Sequence, residues 1–362
     1  MPHYRDHPQG LHDSVSRTVK EITRASSRQE LRDNFISNSR FAGASLEELP
    51  ADASLRRYFR ICGGDLAALM MDAPAPQEDI RPFVRVARHL SDLGLSAPIL
   101  YEQDEVNGFL AVEDFGNDTY TRLLARGEPE RPLYELAVDA LVALHRHSRA
   151  SKVGVPDYDM AALIDEALLL VDWYLPWLNE GFTRSESSVG GFVQAWMDVF
   201  EALPPAQNTL VLRDFHVDNL MRLSGRQGAA ACGLLDFQDA LIGPSAYDLV
   251  SLLEDARRDV CSELSLDMLD RYYNAMNLVP DQVAAFESWY RVLGAQRHCK
   301  VLGIFVRLWR RDGKDKYLHH LSRVARLLRS HLDSDELVPL SDWLRDETPL
   351  LDSVASTEDE PT

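Results

Sequence analysis

The 362-residue chain contains no run of about 18 apolar residues, so no segment reads as a membrane-spanning helix. AAACGLL (Ala229 to Leu235) is among its longest apolar stretches and is far too short. Cysteine is scarce: Cys62, Cys232, Cys261 and Cys299 are the four, with no Cys-x-x-Cys and no His/Cys cluster at zinc spacing. They read as isolated thiols of a reducing compartment. Positive charge is scarce as well. Lys and Arg number 38 against 57 Asp and Glu, for a net charge of -19. That excludes the basic footprint that nucleic acids require and argues against an anionic membrane surface. The opening MPHYRDHPQG is polar and charged, so it is no secretory signal, and a cytoplasmic location is expected. No internal repeat is visible.

What is present is ordinary globular material, 45% hydrophobic and 26% charged. Ser27 and Glu30 have capping-box spacing and predict a helix running toward Phe41. SLRRYFRI (Ser54 to Ile61) and LAALMM (Leu66 to Met71) read as strands around the Gly63-Gly64 turn. PFVRVARHLSDLG (Pro82 to Gly94) has helical period and a glycine stop. ILYEQDEVNGFLAVEDFG (Ile99 to Gly116) reads as a hairpin turning at Asn107-Gly108. Beyond Tyr120 helices dominate: Glu135 to His147, Met160 to Leu178, Phe192 to Leu203, and Tyr247 to about Leu332. One strand pair, formed by TLVLRDF and LMRLSGRQGAAACGLLDF, interrupts them. The predicted division is an extension over 1–27, a β-rich part over 28–112, a linker over 113–117, a helical part over 118–344 and an acidic tail over 345–362.

The strand-like interruption carries the chemistry-bearing residues. VLRDFHVDNLMRL holds Asp214 and Asn219 in a D-x-x-x-x-N spacing, which alone is weak, since polar hairpin ends supply it by chance. LLDFQD places Asp236 one hairpin downstream, again at the end of an apolar run. Two carboxylates and an amide converging in this way suit phosphoryl transfer. Asp214 would orient and deprotonate the attacking hydroxyl. Asn219 and Asp236 would be hard oxygen ligands for Mg2+.

RDFHVDN with LDFQD resembles the catalytic loop and metal motif of the aminoglycoside phosphotransferase-like small-molecule kinases, relatives of the protein kinases. The resemblance runs over roughly Arg28 to Leu344. It implies an α+β, protein-kinase-like two-lobed fold, a small β-rich N-lobe and a larger helical C-lobe. It implies ATP as co-substrate, with Asp214 as catalytic base and Asn219 and Asp236 as magnesium ligands. GPSAYDLVSLL is similar to the family's next segment, where Asp248 would anchor the catalytic loop's backbone. The short run from Asp236 to Asp248 leaves no room for a long activation loop. DASLRRYFR, MDAP, GFLAVEDFGNDTY and QRHCKVLGIFVRLWRRDGKDKYL are most similar to the anomeric kinases of N-acetylmuramic acid and N-acetylglucosamine from bacterial cell-wall recycling. That implies a sugar 1-phosphate as product, in a chain expected to act as a monomer.

The sequence departs from the pattern in three places. Leu212 stands where the motif has His. DASLRR replaces the glycine-rich loop, which makes Ser54 and Arg57 nucleotide-binding candidates. Met70 or Met71 occupies the place of the phosphate-pairing lysine. Alternation puts Arg57, Phe59 and Ile61 on one strand face and Arg56, Tyr58 and Arg60 on the other, and does not say which covers the nucleotide. Glu113 and Phe115 fall at the linker, where the family binds adenine. His216, Arg297, Lys300 and Arg307 are the substrate-binding candidates. At about 100° per residue, Arg297, Lys300, Arg307 and Arg311 share a helical stripe suited to a lactyl carboxylate. The same stripe opposes a cationic acceptor such as an aminoglycoside, choline or an amino alcohol. The missing His and Lys fit a nucleotide-binding pseudokinase, a reading that the retained Asp214, Asn219 and Asp236 oppose.

Overall fold

The computed structural model describes residues 27–50 and 55–348. Contacts divide the chain into two compact units, one running to Val84 and resuming over Pro98–Gly116, the other holding Arg85–Ala97 and all that follows Gly116.

The first unit is built on one antiparallel sheet. Helix α1 covers 27–37, as the Ser27/Glu30 spacing predicts, and ends before Phe41. The strands are β1 (Ser45–Glu48), β2 (Arg57–Cys62), β3 (Ala68–Asp72), β4 (Leu100–Asp104) and β5 (Phe109–Glu113), in the order β1-β2-β3-β5-β4. Strand β1 has no counterpart in the sequence reading. Phe59, Ile61, Ala68, Met70 and Ala111 gather with Ile36 and Phe41 in one cluster, so that face of the sheet meets α1. Buried Asp72 binds Arg28 (2.6 Å) and Arg32 (2.9 Å), closing the contact with charge. The β4–β5 turn forms at the predicted place. Asp104 accepts the Asn107 backbone N–H (3.0 Å), and Gly108 takes φ 70°, where a Cβ would stand 2.0 Å from the Ala73 carbonyl oxygen.

Helix α2 (Arg81–Asp92) matches its predicted span. The division differs from the one read in sequence: Arg85–Ala97 group with the helical unit, not the sheet.

The second unit contains α3 (Tyr120–Ala125), α4 (Glu130–Arg146), α5 (Met160–Ala167), α6 (Leu175–Leu178), α7 (Glu186–Ala202), β6 (Asn208–Val211), β7 (Leu220–Arg222), β8 (Cys232–Leu234), β9 (Leu241–Pro244), α8 (Ala246–Leu253), α9 (Ser262–Met276), α10 (Pro280–Asp312), α11 (Leu321–Leu332) and α12 (Val338–Glu347). The single helix predicted over Met160 to Leu178 is broken by a π-helical turn at Leu170–Tyr174. Gly303 of α10 lies against it: a Cβ there would stand 2.2 Å from the Leu169 carbonyl oxygen. Helix α7 starts earlier than predicted because Ser185 and Ser188 form a capping box. Helix α12 runs to Glu347, past the predicted start of the acidic tail.

The 33-residue α10 is the axis of this unit, continuously buried from Val292 to Gly303 and packed against α5, α8 and α11. Glu254, at the end of α8, accepts His298 Nε2 and His331 Nε2, both at 2.7 Å, and so ties α8, α10 and α11 together.

Candidate active site

The predicted single strand pair is two ribbons. Strand β6 pairs with β9, and β7 pairs with β8, both antiparallel. Each apolar run needs a partner for its backbone groups, and β9 (LIGP) supplies the one for β6. The consequence is geometric. The loop carrying Asp214 and Asn219 joins β6 to β7, and Asp236 stands just past the end of β8, after Leu235. Since Leu220 faces Leu234 across the ribbon, Asn219 and Asp236 meet at its open end: Asn219 Nδ2 lies 3.5 Å from Asp236 Oδ2.

Asp248 holds the loop. Its Oδ2 accepts the Leu212 N–H (2.7 Å) and its Oδ1 accepts the Arg213 N–H (2.8 Å). Leu212, in the place of the motif's histidine, is a buried core residue, and the bracing falls to Asp248. Arg213 takes φ 71° and Asp236 φ 57°, left-handed conformations that non-glycine residues adopt at a cost. Each turns the chain sharply at the end of a strand. Burial pushes the Asp248 carboxyl up to about 7, against the pull of the two N–H groups.

Asp214 behaves oppositely. Burial pushes its carboxyl up, but Lys300, His216, Arg297 and Arg213 outweigh that and hold it below the usual range. Its carboxylate makes no hydrogen bond or ion pair with another described residue. Asn219 Nδ2 donates to the Asp214 carbonyl (2.9 Å), which presents the amide oxygen as a ligand atom. Gln238 Nε2 donates to Asp236 Oδ1 (2.8 Å) and orients it. His216 is buried, with Nε2 3.4 Å from both Asn219 Nδ2 and Arg257 Nη1. Burial first, then Arg257, lowers it to about 4, so it is neutral at pH 7.

The basic stripe of α10 divides along its length. Arg297 is buried and donates to Ser251 Oγ (2.9 Å). Lys300 Nζ pairs with Glu166 Oε2 (3.0 Å) and reaches Tyr247 Oη (3.4 Å). Arg307 is half-buried, its Nε has no partner, and burial lowers its pKa. Arg311 is exposed and pairs with Asp312.

Sequence reasoning missed Glu166. This residue of α5 receives Lys300, the Arg213 guanidinium and the Tyr158 hydroxyl. Only the fold brings it to the loop. Tyr158 and Ser251 were missed for the same reason.

In the first unit, Arg57 lies on the face that meets α1, half-exposed and paired with Glu48. Arg56 and Arg60 lie on the other face, paired with Glu78 (2.9 Å) and Asp114 (2.6 Å). Glu113 accepts the Ile99 N–H (3.2 Å), and Phe115 is half-buried beyond the end of β5. Ser54 lies outside the described residues. Met70 and Met71, at the expected lysine position, are buried.

The model of the family described as "Phosphotransferase enzyme family" matches residues 45–286. The N-acetylmuramate/N-acetylglucosamine kinase of Pseudomonas aeruginosa is 37% identical over 291 residues, covering 79% of this chain and 83% of that protein. The enzyme of the same name from Caulobacter vibrioides is 32% identical over 356 residues, 89% of this chain and 97% of that one. Among solved structures, a choline/ethanolamine kinase family protein from Mesorhizobium loti superposes with a TM-score of 0.60 at 15% identity, covering 88% of this chain and 99% of that one. At that identity the likeness concerns the fold, which is kinase-like.

Proposed function

We propose that this chain, which belongs to the phosphotransferase enzyme family, transfers the γ-phosphoryl group of ATP to the anomeric hydroxyl of N-acetylmuramic acid or N-acetylglucosamine. The convergence of Asp214, Asn219 and Asp236 at the ends of two ribbons carries the chemistry. The likeness to the two named kinases over most of the chain supports the sugar.

The chain's own residues account for the steps in order. The acceptor hydroxyl donates to the unpartnered Asp214 carboxylate, which aims it and takes its proton. A carboxylate held below its usual range is a weak base. That suffices where proton removal is late and positioning dominates, as in a loose phosphoryl-transfer transition state. Asn219 Oδ1 and the Asp236 carboxylate are hard oxygen donors that would hold Mg2+, which would supply positive charge against that of the phosphates. Gln238 fixes the Asp236 carboxylate, and Asp248 fixes the backbone that carries Asp214. Neutral His216 stands between Asn219 and Arg257 and lines the acceptor side. The ATP-binding residues assigned to the sheet unit are the segment around Ser54 and Arg57 and the positions Glu113 and Phe115.

The stripe on α10 takes two roles. Arg297 and Lys300, already engaged by Ser251 and Glu166, keep Asp214 ionised. Arg307, about 10 Å beyond Lys300 along the helix, forms no ion pair among the described residues and suits the lactyl carboxylate of N-acetylmuramic acid.

A coupled assay of ADP release tests the reading. Both amino sugars should be turned over with ATP and Mg2+, and chelation by EDTA should abolish turnover. Turnover of choline or an aminoglycoside but neither amino sugar would replace this reading with another small-molecule kinase. Nucleotide binding without ADP release from any acceptor would favour a binding module.

A further inference from the structure

We infer that Glu166 is a positioning residue, a built-in counter-ion that keeps the catalytic loop in its working form and leaves Asp214 free. The inference rests on the phosphotransferase chemistry above, and it concerns a residue outside the motif.

Arg213 precedes Asp214 and is fastened at several points. Asp248 takes its backbone N–H (2.8 Å). Its Nη1 donates to the Asp239 carbonyl (3.2 Å), its guanidinium lies 5.6 Å from the centre of the Tyr158 ring, and its Nη2 pairs with Glu166. Asp239 belongs to the segment that begins with Asp236. The Arg213 side chain therefore spans from the loop of the base to the loop of the metal ligand, with Glu166 closing the span.

Glu166 also binds Lys300 Nζ (3.0 Å) and the Tyr158 hydroxyl. Lys300 and Arg213 are both among the cations that act on Asp214. With Glu166 in place their charge is shared with a second carboxylate. Without it, two partly buried cations would face Asp214 as their nearest acid. The base would become an ion-pair partner and turn from the acceptor hydroxyl. Where kinase activation loops are ordered by phosphorylation, an Arg–phosphate pair supplies the missing anion. Here an unmodified glutamate on α5 supplies it, which makes the active arrangement permanent.

The test uses the full chain with ATP, Mg2+ and the best acceptor found for the wild type. If that acceptor is not an amino sugar, the substrate proposal falls and this test is run unchanged. Glu166→Gln is expected to lower kcat by about 10- to 100-fold while the KM for ATP stays within about twofold, since the loss is one of positioning. Glu166→Asp, which keeps the charge, should retain most of kcat. Arg213→Gln added to Glu166→Gln should cost nothing further, because the two residues act as one unit. A wild-type kcat in Glu166→Gln, an Asp variant as slow as the Gln variant, or losses that multiply in the double variant would each overturn the inference. If Glu166→Gln does not fold, Arg213→Gln decides: a lowered kcat at unchanged KM for ATP supports the latch, and an unchanged kcat overturns it.

Discussion

Asp214 and Asp248 lie close together in the helical unit, and burial drives both carboxyls upward, yet they end on opposite sides of the usual range. At Asp248, fully buried with two backbone N–H donors, burial prevails and the carboxyl reaches about 7. At Asp214 the surrounding Lys300, His216, Arg297 and Arg213 prevail, and the carboxyl stays low. Burial sets the cost of the charge, and the neighbouring basic groups decide whether it is met. The same chemical group thereby becomes a structural clamp in one place and a carboxylate held in its ionised form in the other.

The comparison breaks most completely if Asp214 loses its charge. Asp214→Asn is expected to lower kcat by about 10²- to 10⁴-fold while nucleotide affinity stays near wild type, as read by steady-state kinetics and nucleotide titration. Next comes the clamp. Asp248→Ala leaves two buried N–H groups without acceptors and should cost about 2–6 kcal/mol in chemical denaturation. Asp248 also has a pH signature. Its folded pKa lies above the unfolded value, so its contribution is fully present below about pH 4 and is lost as pH rises through about 7. The stability difference between wild type and Asp248→Asn should narrow over that window. A flat difference would show that the carboxyl is not raised.

Smaller effects should come from the cations. Arg307→Ala is expected to raise the KM for N-acetylmuramic acid about tenfold and leave that for N-acetylglucosamine near wild type, as the loss of one charged contact to a carboxylate. Equal losses would remove Arg307 from carboxylate recognition. Lys300→Met should raise the Asp214 pKa. Activity needs the ionised base and falls as pH drops through that pKa, so the acidic limb of kcat/KM should move to higher pH. A limb that stays in place would separate Lys300 from the base.

How much of this was legible in sequence depended on whether a residue acts through its neighbours in the chain. Asp214 and Asp236 follow apolar runs, Asn219 and Asp248 stand at short spacings after them, and the fold brings the four into one neighbourhood. Glu166 gave no such signal, because it meets Arg213 and Lys300 only after α5 and α10 pack. Strand β9 was hidden by its Gly and Pro, and its pairing with β6 is what turns the expected strand pair into two ribbons. The break in the Met160 to Leu178 helix was hidden too, since Gly303 contacts it from another helix. Alternation along β2 separated Arg57 from Arg56 and Arg60 correctly, but the choice of face needed the packing of α1 on Phe59 and Ile61.

The most direct test of the central claim is phosphorus NMR of the product formed from N-acetylmuramic acid, ATP and Mg2+ by the wild type and by Asp214→Asn. The account predicts an acid-labile sugar 1-phosphate from the wild type and almost none from the variant over the same time. A stable 6-phosphate, or a 1-phosphate formed equally fast by both, would contradict it.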